Sequence, residues 1–337
     1  MTHRERFHRV LDFRPVDRLP VVEWAPWWDQ TLARWRAEGL PAGLTDCCAI
    51  QRHLGLEAIR QVRVRPVGPG APRPISHGAG LCADEAGYDR LRDRLYPLPG
   101  FHPAALRAAA EEQARGELVV WLTVDGFFWH PRTLLGIQRH LVAFYDQPDL
   151  MHRMNADLLE HSHRVLDEVL AVCTPDFMTF AEDMSYNHGP MISPSMFEAF
   201  EAPYYGRIVP RLREAGVRVF VDSDGDVTDL IDWFAPLGVE GFLPLERLAG
   251  VDVAAIRRRR PRLLMLGAYD KTVMHRGEAA VRAEFDRLMP VMRGGGFVPS
   301  VDHQTPPGVS LRQYRAYVAI YREYAERAAG DARTAYI

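Results

Sequence analysis

The sequence predicts an α/β fold: a (β/α)8 TIM barrel with a small insertion after the second strand. Apolar strand-like runs alternate with amphipathic helical stretches along all 337 residues, which implies parallel strands joined by helical crossovers. Eight such runs can be read, the number at which a parallel sheet closes on itself. No G-x-G-x-x-G follows an early strand, so the open dinucleotide-binding sheet lacks its phosphate-binding turn.

The expected strands are Leu19–Trp24, Ile59–Val64, Leu118–Val124, Phe177–Ala181, Val217–Val221, Gly241–Leu245, Leu263–Gly267 and Gly296–Val301. Each is short and rich in β-branched or aromatic residues, as a strand buried on both faces must be. Helical periodicity predicts Leu150–Val172, Ser195–Glu214 (opened by the cap S-P-S-M-F-E), Val251–Arg260 and Glu278–Arg293. Residues 66–100 are rich in Pro and Gly and read as an inserted lobe within a single barrel domain spanning 1–337.

Composition excludes several classes. With 47% hydrophobic and 25% charged residues the chain reads as an ordinary globular protein. A net charge of −3 with interspersed signs suggests neither nucleic acid nor an anionic membrane as partner. The start M-T-H-R-E-R-F lacks an apolar core and no run of about 18 apolar residues occurs, so a cytoplasmic location is expected. Cys47, Cys48, Cys82 and Cys173 show neither C-x-x-C spacing nor a disulfide framework.

In a barrel the chemistry sits where strands end, and here those exits are polar. Strand one runs into Glu23 and Trp24, with Trp27 and Trp28 following. Strand three ends at Asp125, before Phe127, Phe128 and Trp129; strand four ends at Glu182 and Asp183, followed by Tyr186 and His188. Strand six is followed by Glu246, strand seven by Tyr269, Asp270 and Lys271, and strand eight by Asp302, His303 and Gln304. Asp125 and Asp270 also suit helix caps, and Glu246 suits an ion pair with Arg247 or Arg262.

Strand five carries the densest signal, V-R-V-F-V-D-S-D-G-D, with Asp222, Asp224 and Asp226. It is not an EF-hand, whose Gly and Glu positions are filled by Val227 and Trp233. Asp226 or Thr228 suits the cap of the helix that follows. Of 41 basic residues Lys271 is the single lysine, and Lys, unlike Arg, can lose its proton in a pocket.

These segments resemble the uroporphyrinogen decarboxylase superfamily. R-E-R-F-H-R-V-L-D-F-R-P-V-D-R-L-P-V resembles its lead into the first strand; V-D-S-D-G-D-V-T-D-L-I, L-G-A-Y-D-K and G-G-F-V-P-S-V-D-H-Q-T-P-P resemble its later motifs in order. The resemblance implies a distorted barrel, a cleft at the strand C-termini and a homodimer. It also implies one of two chemistries, porphyrinogen decarboxylation or zinc-dependent methyl transfer involving a corrinoid protein. Where the decarboxylases carry R-Q-A-G-R, this chain has E-W-A-P-W-W-D-Q, so an octa-acid substrate is not expected. The zinc ligands of the methyltransferases correspond to Asp222, Asp224 and His303, a set that suits a divalent metal and an oxygen-bearing substrate better than a thiol.

The leading expectation is therefore methyl transfer or demethylation of a small organic molecule, assisted by a zinc-like metal at Asp222, Asp224 and His303. Glu182, Asp183 and Lys271 are the expected acid–base groups. Glu23, Trp24, Trp28, Asp125, Tyr186, His188, Glu246, Tyr269 and Asp270 are expected to bind substrate. The alternatives are a decarboxylase of a porphyrinogen-like or smaller acid, with Arg132 and Arg207 as candidate carboxylate contacts, and a non-catalytic ligand-binding barrel.

Overall fold

The computed structural model describes residues 1–76 and 78–334, the last four of these by backbone alone. Seven parallel strands form one sheet: β1 (Ile59–Arg63), β2 (Val119–Asp125), β3 (Phe177–Ala181), β6 (Arg218–Asp222), β7 (Gly241–Leu243), β8 (Leu264–Tyr269) and β9 (Phe297–Val301), paired in that order. β4 (Ser185–Tyr186) and β5 (Gly189–Pro190) form a separate small hairpin in the loop after β3. All seven residues of β2 and all five of β3 are buried, because crossover helices cover the sheet.

The expected first strand is not a ladder strand. Leu19–Trp24 makes a single parallel bridge, Val22 to Glu57. Pro20 has no N–H to give, and the N–H of Leu19 goes to the carbonyl of Ala325 in the C-terminal helix Leu311–Thr334. The segment nevertheless reaches both outer strands, directly at β9 and through Gln51, which also accepts from the Ile59 N–H of β1. The Trp24 indole donates to the carbonyl of Val301 at 2.6 Å, and Gln51 Nε2 donates to the carbonyl of Glu23 at 2.9 Å.

The other strands fall within two residues of their expected ends. β7 stops early, at a cis Leu243–Pro244 bond. The expected helix over 195–214 is two helices, Pro194–Phe200 and Ala202–Glu214. The break falls at Glu201, just ahead of Pro203, whose ring cannot continue a helix already under way. The cap of the first piece is Ser193, whose Oγ accepts from the Met196 N–H. In the lobe after β1 lie a helix, Glu85–Leu91, and a bridge from Val67 to Leu95. Tyr88 is fully buried there, and the N–H groups of Leu81 and Cys82 donate to the carbonyl of Leu134, which ties the lobe to the helix after β2.

Candidate active site

Parallel pairing brings the strand ends into register. Asp125, Ala181, Asp222 and Leu243 are successive partners across β2, β3, β6 and β7, so residues just beyond them share one rim. Arg63 ends β1 beside Asp125, with Nη2 3.6 Å from Oδ1. Arg132 donates to both the carbonyl (2.7 Å) and Oδ2 (3.1 Å) of Asp183, whose φ of 44° turns the chain sharply at the exit of β3. Lys271 Nζ lies 2.9 Å from Oδ1 of fully buried Asp302, and Asp302 Oδ2 accepts from the Arg247 N–H at 3.2 Å. His303 Nε2 is 3.7 Å from Asp224 Oδ2.

Crowding of like charges sets the electrostatics. Burial first, then Asp224 and Asp183, push the Asp222 carboxyl up to about 8. Burial, Glu246 and Asp183 push Asp224 up to about 7, against the pull of Lys271. Burial raises Asp125 to about 6, opposed by Arg63 and Arg65, and it also raises Asp183 and Asp302. His303 is lowered, by burial and then by Lys271. Lys271, Arg132 and Arg63 lie closest to Asp302, Asp183 and Asp125, so Asp222, Asp224 and Glu246 have no ion pair with a lysine or arginine among the described residues, and of the three Asp224 meets His303. A cavity of about 290 Å³ opens beside them, lined in part by Asp224, Glu246 and Tyr186.

The sequence pattern of uroporphyrinogen decarboxylase (URO-D) matches residues 131–324, more than half of the chain. The chain belongs to the uroporphyrinogen decarboxylase family. Among solved structures this family member is similar to a methyltransferase from Methanosarcina mazei, at 16% identity and a TM-score of 0.64, over 96% of this chain and 99% of that one. It also matches a B12-independent methionine synthase from Shewanella sp. W3-18-1, at 15% identity and a TM-score of 0.39, over 68% and 66%. No curated protein matches it.

This family member uses several expected site residues otherwise. Glu182 is fully buried, and its carboxyl accepts the N–H groups of Phe127, Phe128 and Trp129 at 2.8 to 3.0 Å, so it caps the helix Trp129–Leu135. It is not free for acid–base work. Glu201, also fully buried, has no hydrogen-bond partner for either oxygen. Burial pushes both carboxyls up, and three N–H donors oppose that rise at Glu182 where Glu201 has none.

Glu23 is buried and raised to about 8 by burial. It accepts from Ser300 Oγ, the Val301 N–H and the Tyr314 hydroxyl, so it braces the first segment against β9 and is closed to substrate. Trp24 is occupied by the same brace, and Trp28 is an exposed helix-start residue. Tyr269 is fully buried among Phe285 and Tyr317, away from the cleft. Asp270 Oδ1 accepts from the N–H and hydroxyl of Thr272, which makes it the cap of the turn holding Lys271. Asp226 closes a local turn onto the Thr228 N–H. Glu246 meets neither of its expected arginines. Its Oε2 accepts from the Gly225 N–H, and Arg262 lies over Phe13 instead. Tyr186 and His188 are exposed on the small hairpin, edge to face.

Among the described residues no three His, Cys, Asp or Glu side chains converge as a metal shell. The trio Asp222, Asp224 and His303 gathers only as far as the Asp224–His303 pair. Arg63 was not among the expected residues, nor was the polar file beneath the cleft: Gln61 Nε2 to Thr123 Oγ1, Thr123 to Thr179, and the Trp121 indole to Thr179. Their signal lay in single polar residues at alternating strand positions. Arg207 is exposed and takes no part in the cleft.

Proposed function

We propose that this family member is a methyltransferase or demethylase acting on a small cationic molecule, an N-methylated amine or ammonium. The observation that carries the reading is the excess of carboxyl groups at Asp222, Asp224 and Glu246 beside a single imidazole, His303. Two of those carboxyls hold protons near neutral pH because burial and mutual repulsion disfavour their charge. A substrate cation relieves the repulsion, so binding releases protons and places positive charge against the acids.

The transfer follows from that charge balance. Nitrogen leaves a methyl group with the C–N electron pair only when it bears four substituents. As the methyl group departs with the equivalent of one positive charge, the amine becomes neutral and Asp222 and Asp224 take back their protons. Asp183, fixed by Arg132, and Lys271, fixed by Asp302, frame the cleft. The methyl acceptor arrives from outside the chain, the part that the family resemblance gives to a corrinoid-bearing protein. The donor set does not form a metal shell among the described residues.

Incubation with cob(I)alamin and a panel of N-methylated amines, read as methylcobalamin formed, tests this reading. Asp224→Asn and His303→Ala should each lower the rate about 100-fold or more, the usual scale of acid–base loss. Wild-type turnover of O-methyl but not N-methyl donors would overturn the cationic substrate. Decarboxylation is the second reading, supported by Arg63 and Arg132 at the rim; release of carbon dioxide from small carboxylic acids reads it directly. Both arginines already face acids, which weakens their grip on a substrate carboxylate.

A further inference from the structure

The opposite end of the sheet holds a second site. β6 runs from Arg218 to Asp222, a span of roughly 13 Å at about 3.3 Å per residue, so its first residue stands far from the carboxylate cleft. Around the starts of β6, β7 and β8 lies a cavity of about 740 Å³ lined by five arginines: Arg14, Arg218, Arg259, Arg260 and Arg262. Leu11, Ile231, Val239 and Leu264 supply an apolar floor.

The arginines outnumber the acids that serve them. Arg218 takes both acids of the lining, pairing with Asp12 and, at 2.6 Å, with Glu240. Arg259 and Arg260 share the one carboxylate of Asp232, at 3.7 and 2.7 Å. Arg14 reaches only the already engaged Asp12, at 3.9 Å, and is two-thirds exposed. Arg262 has no carboxylate partner among the described residues; its guanidinium lies 4.1 Å from the centroid of the Phe13 ring. Behind it Arg257 also faces Phe13, and donates only to the carbonyls of Pro261, Leu263 and Gly295. Burial and Arg262 together push the Arg257 guanidinium down, a sign that positive charge there is not neutralised.

A guanidinium is a planar fork that matches phosphate and carboxylate oxygens in pairs. Two such forks without acids of their own, set over an apolar floor in a concave space, fit one class of ligand. We infer that this cavity binds a small organic anion with at least two negative charges on an apolar body, an organic phosphate or a polycarboxylate, held by Arg14 and Arg262. The floor takes the body, and Arg259 and Arg260 stand within the same lining to share the charge. Nothing in this assignment depends on the reaction in the cleft.

Calorimetric titration of the full chain at low ionic strength, with adenosine 5′-diphosphate as the phosphate probe and tricarballylate as the carboxylate probe, tests it. At least one probe should bind with one-to-one stoichiometry, and whichever binds names the source of the charge. Arg14→Glu and Arg262→Glu should each weaken that binding about tenfold or more, while Asp224→Asn binds as the wild type does. Arg14→Ala, a change at an exposed side chain, serves as a second variant should charge reversal unfold the protein, and it too should weaken binding. Failure of both probes to bind, or binding that is unchanged in the Arg14 and Arg262 variants, overturns the site.

Discussion

Asp222 and Asp224 show how a residue's meaning depends on its neighbours. In water an aspartic acid ionises near 3.9; in the cleft burial and other acids raise Asp222 to about 8 and Asp224 to about 7. A carboxyl raised in the folded state contributes stability that is complete below its unfolded value and is lost as pH climbs through its folded value. The melting temperature should therefore fall as pH rises from about 4 through 8, and Asp222→Asn should flatten that fall by on the order of 1–3 kcal/mol, measured by denaturant titration at several pH values. A slope unaltered by Asp222→Asn would remove this residue as its source. The same shifts predict that a cationic ligand binds more tightly as pH rises through 7 to 8 and releases protons, which calorimetry in buffers of different ionisation enthalpy measures. Lys271 makes a parallel point: its Nζ is engaged by buried Asp302, so Lys271→Met should leave an uncompensated buried acid and cost about 3 kcal/mol or more of stability in urea titration.

At the scale of elements, the turn between β2 and the helix Trp129–Leu135 is the clearest case of local chemistry serving position. That helix starts without a side-chain cap of its own, and Glu182 arrives from the end of β3 to accept the N–H groups of Phe127 and Phe128, which lead into it, and of Trp129, its first residue. The approach requires Gly126, since a Cβ there would stand 2.1 Å from the Glu182 carboxyl. Gly126→Ala should destabilise the protein by about 1–3 kcal/mol, the usual cost of overpacking, and Glu182→Ala by a similar amount. Both are read by denaturant unfolding, and a neutral Gly126→Ala would show that the turn can move aside. Because this helix carries Arg132, which fixes Asp183, the cap also sets one wall of the cleft.

Across the whole molecule, the eight expected strands appear as seven parallel ladder strands, and Leu19–Trp24 meets Val301 of β9 and Glu57 ahead of β1 without joining the ladder. Glu23→Ala should loosen that junction and cost about 1–3 kcal/mol in unfolding, by leaving the Ser300 and Tyr314 hydroxyls without their acceptor. The central strands such as β2 and β3 were legible because a strand covered on both faces must be a short apolar run, a pattern carried by adjacent residues alone. The rim of acids was legible too, since a parallel sheet puts every strand exit at one end. What lay beyond the sequence was the direction of each side chain after its strand. Glu182 and Asp183 are neighbours in the chain, yet one turns inward to cap a helix and the other outward to meet Arg132. Glu23 and Tyr269 look like site residues at their strand ends, but Ser300, Tyr314, Phe285 and Tyr317, which bury them, come from distant segments. The sequence by itself determined the parallel α/β sheet and the end at which its acids gather. Only the tertiary structure decided which of those acids face the cleft, and which guanidiniums at the other end lack a partner, because both depend on packing between residues far apart in the chain.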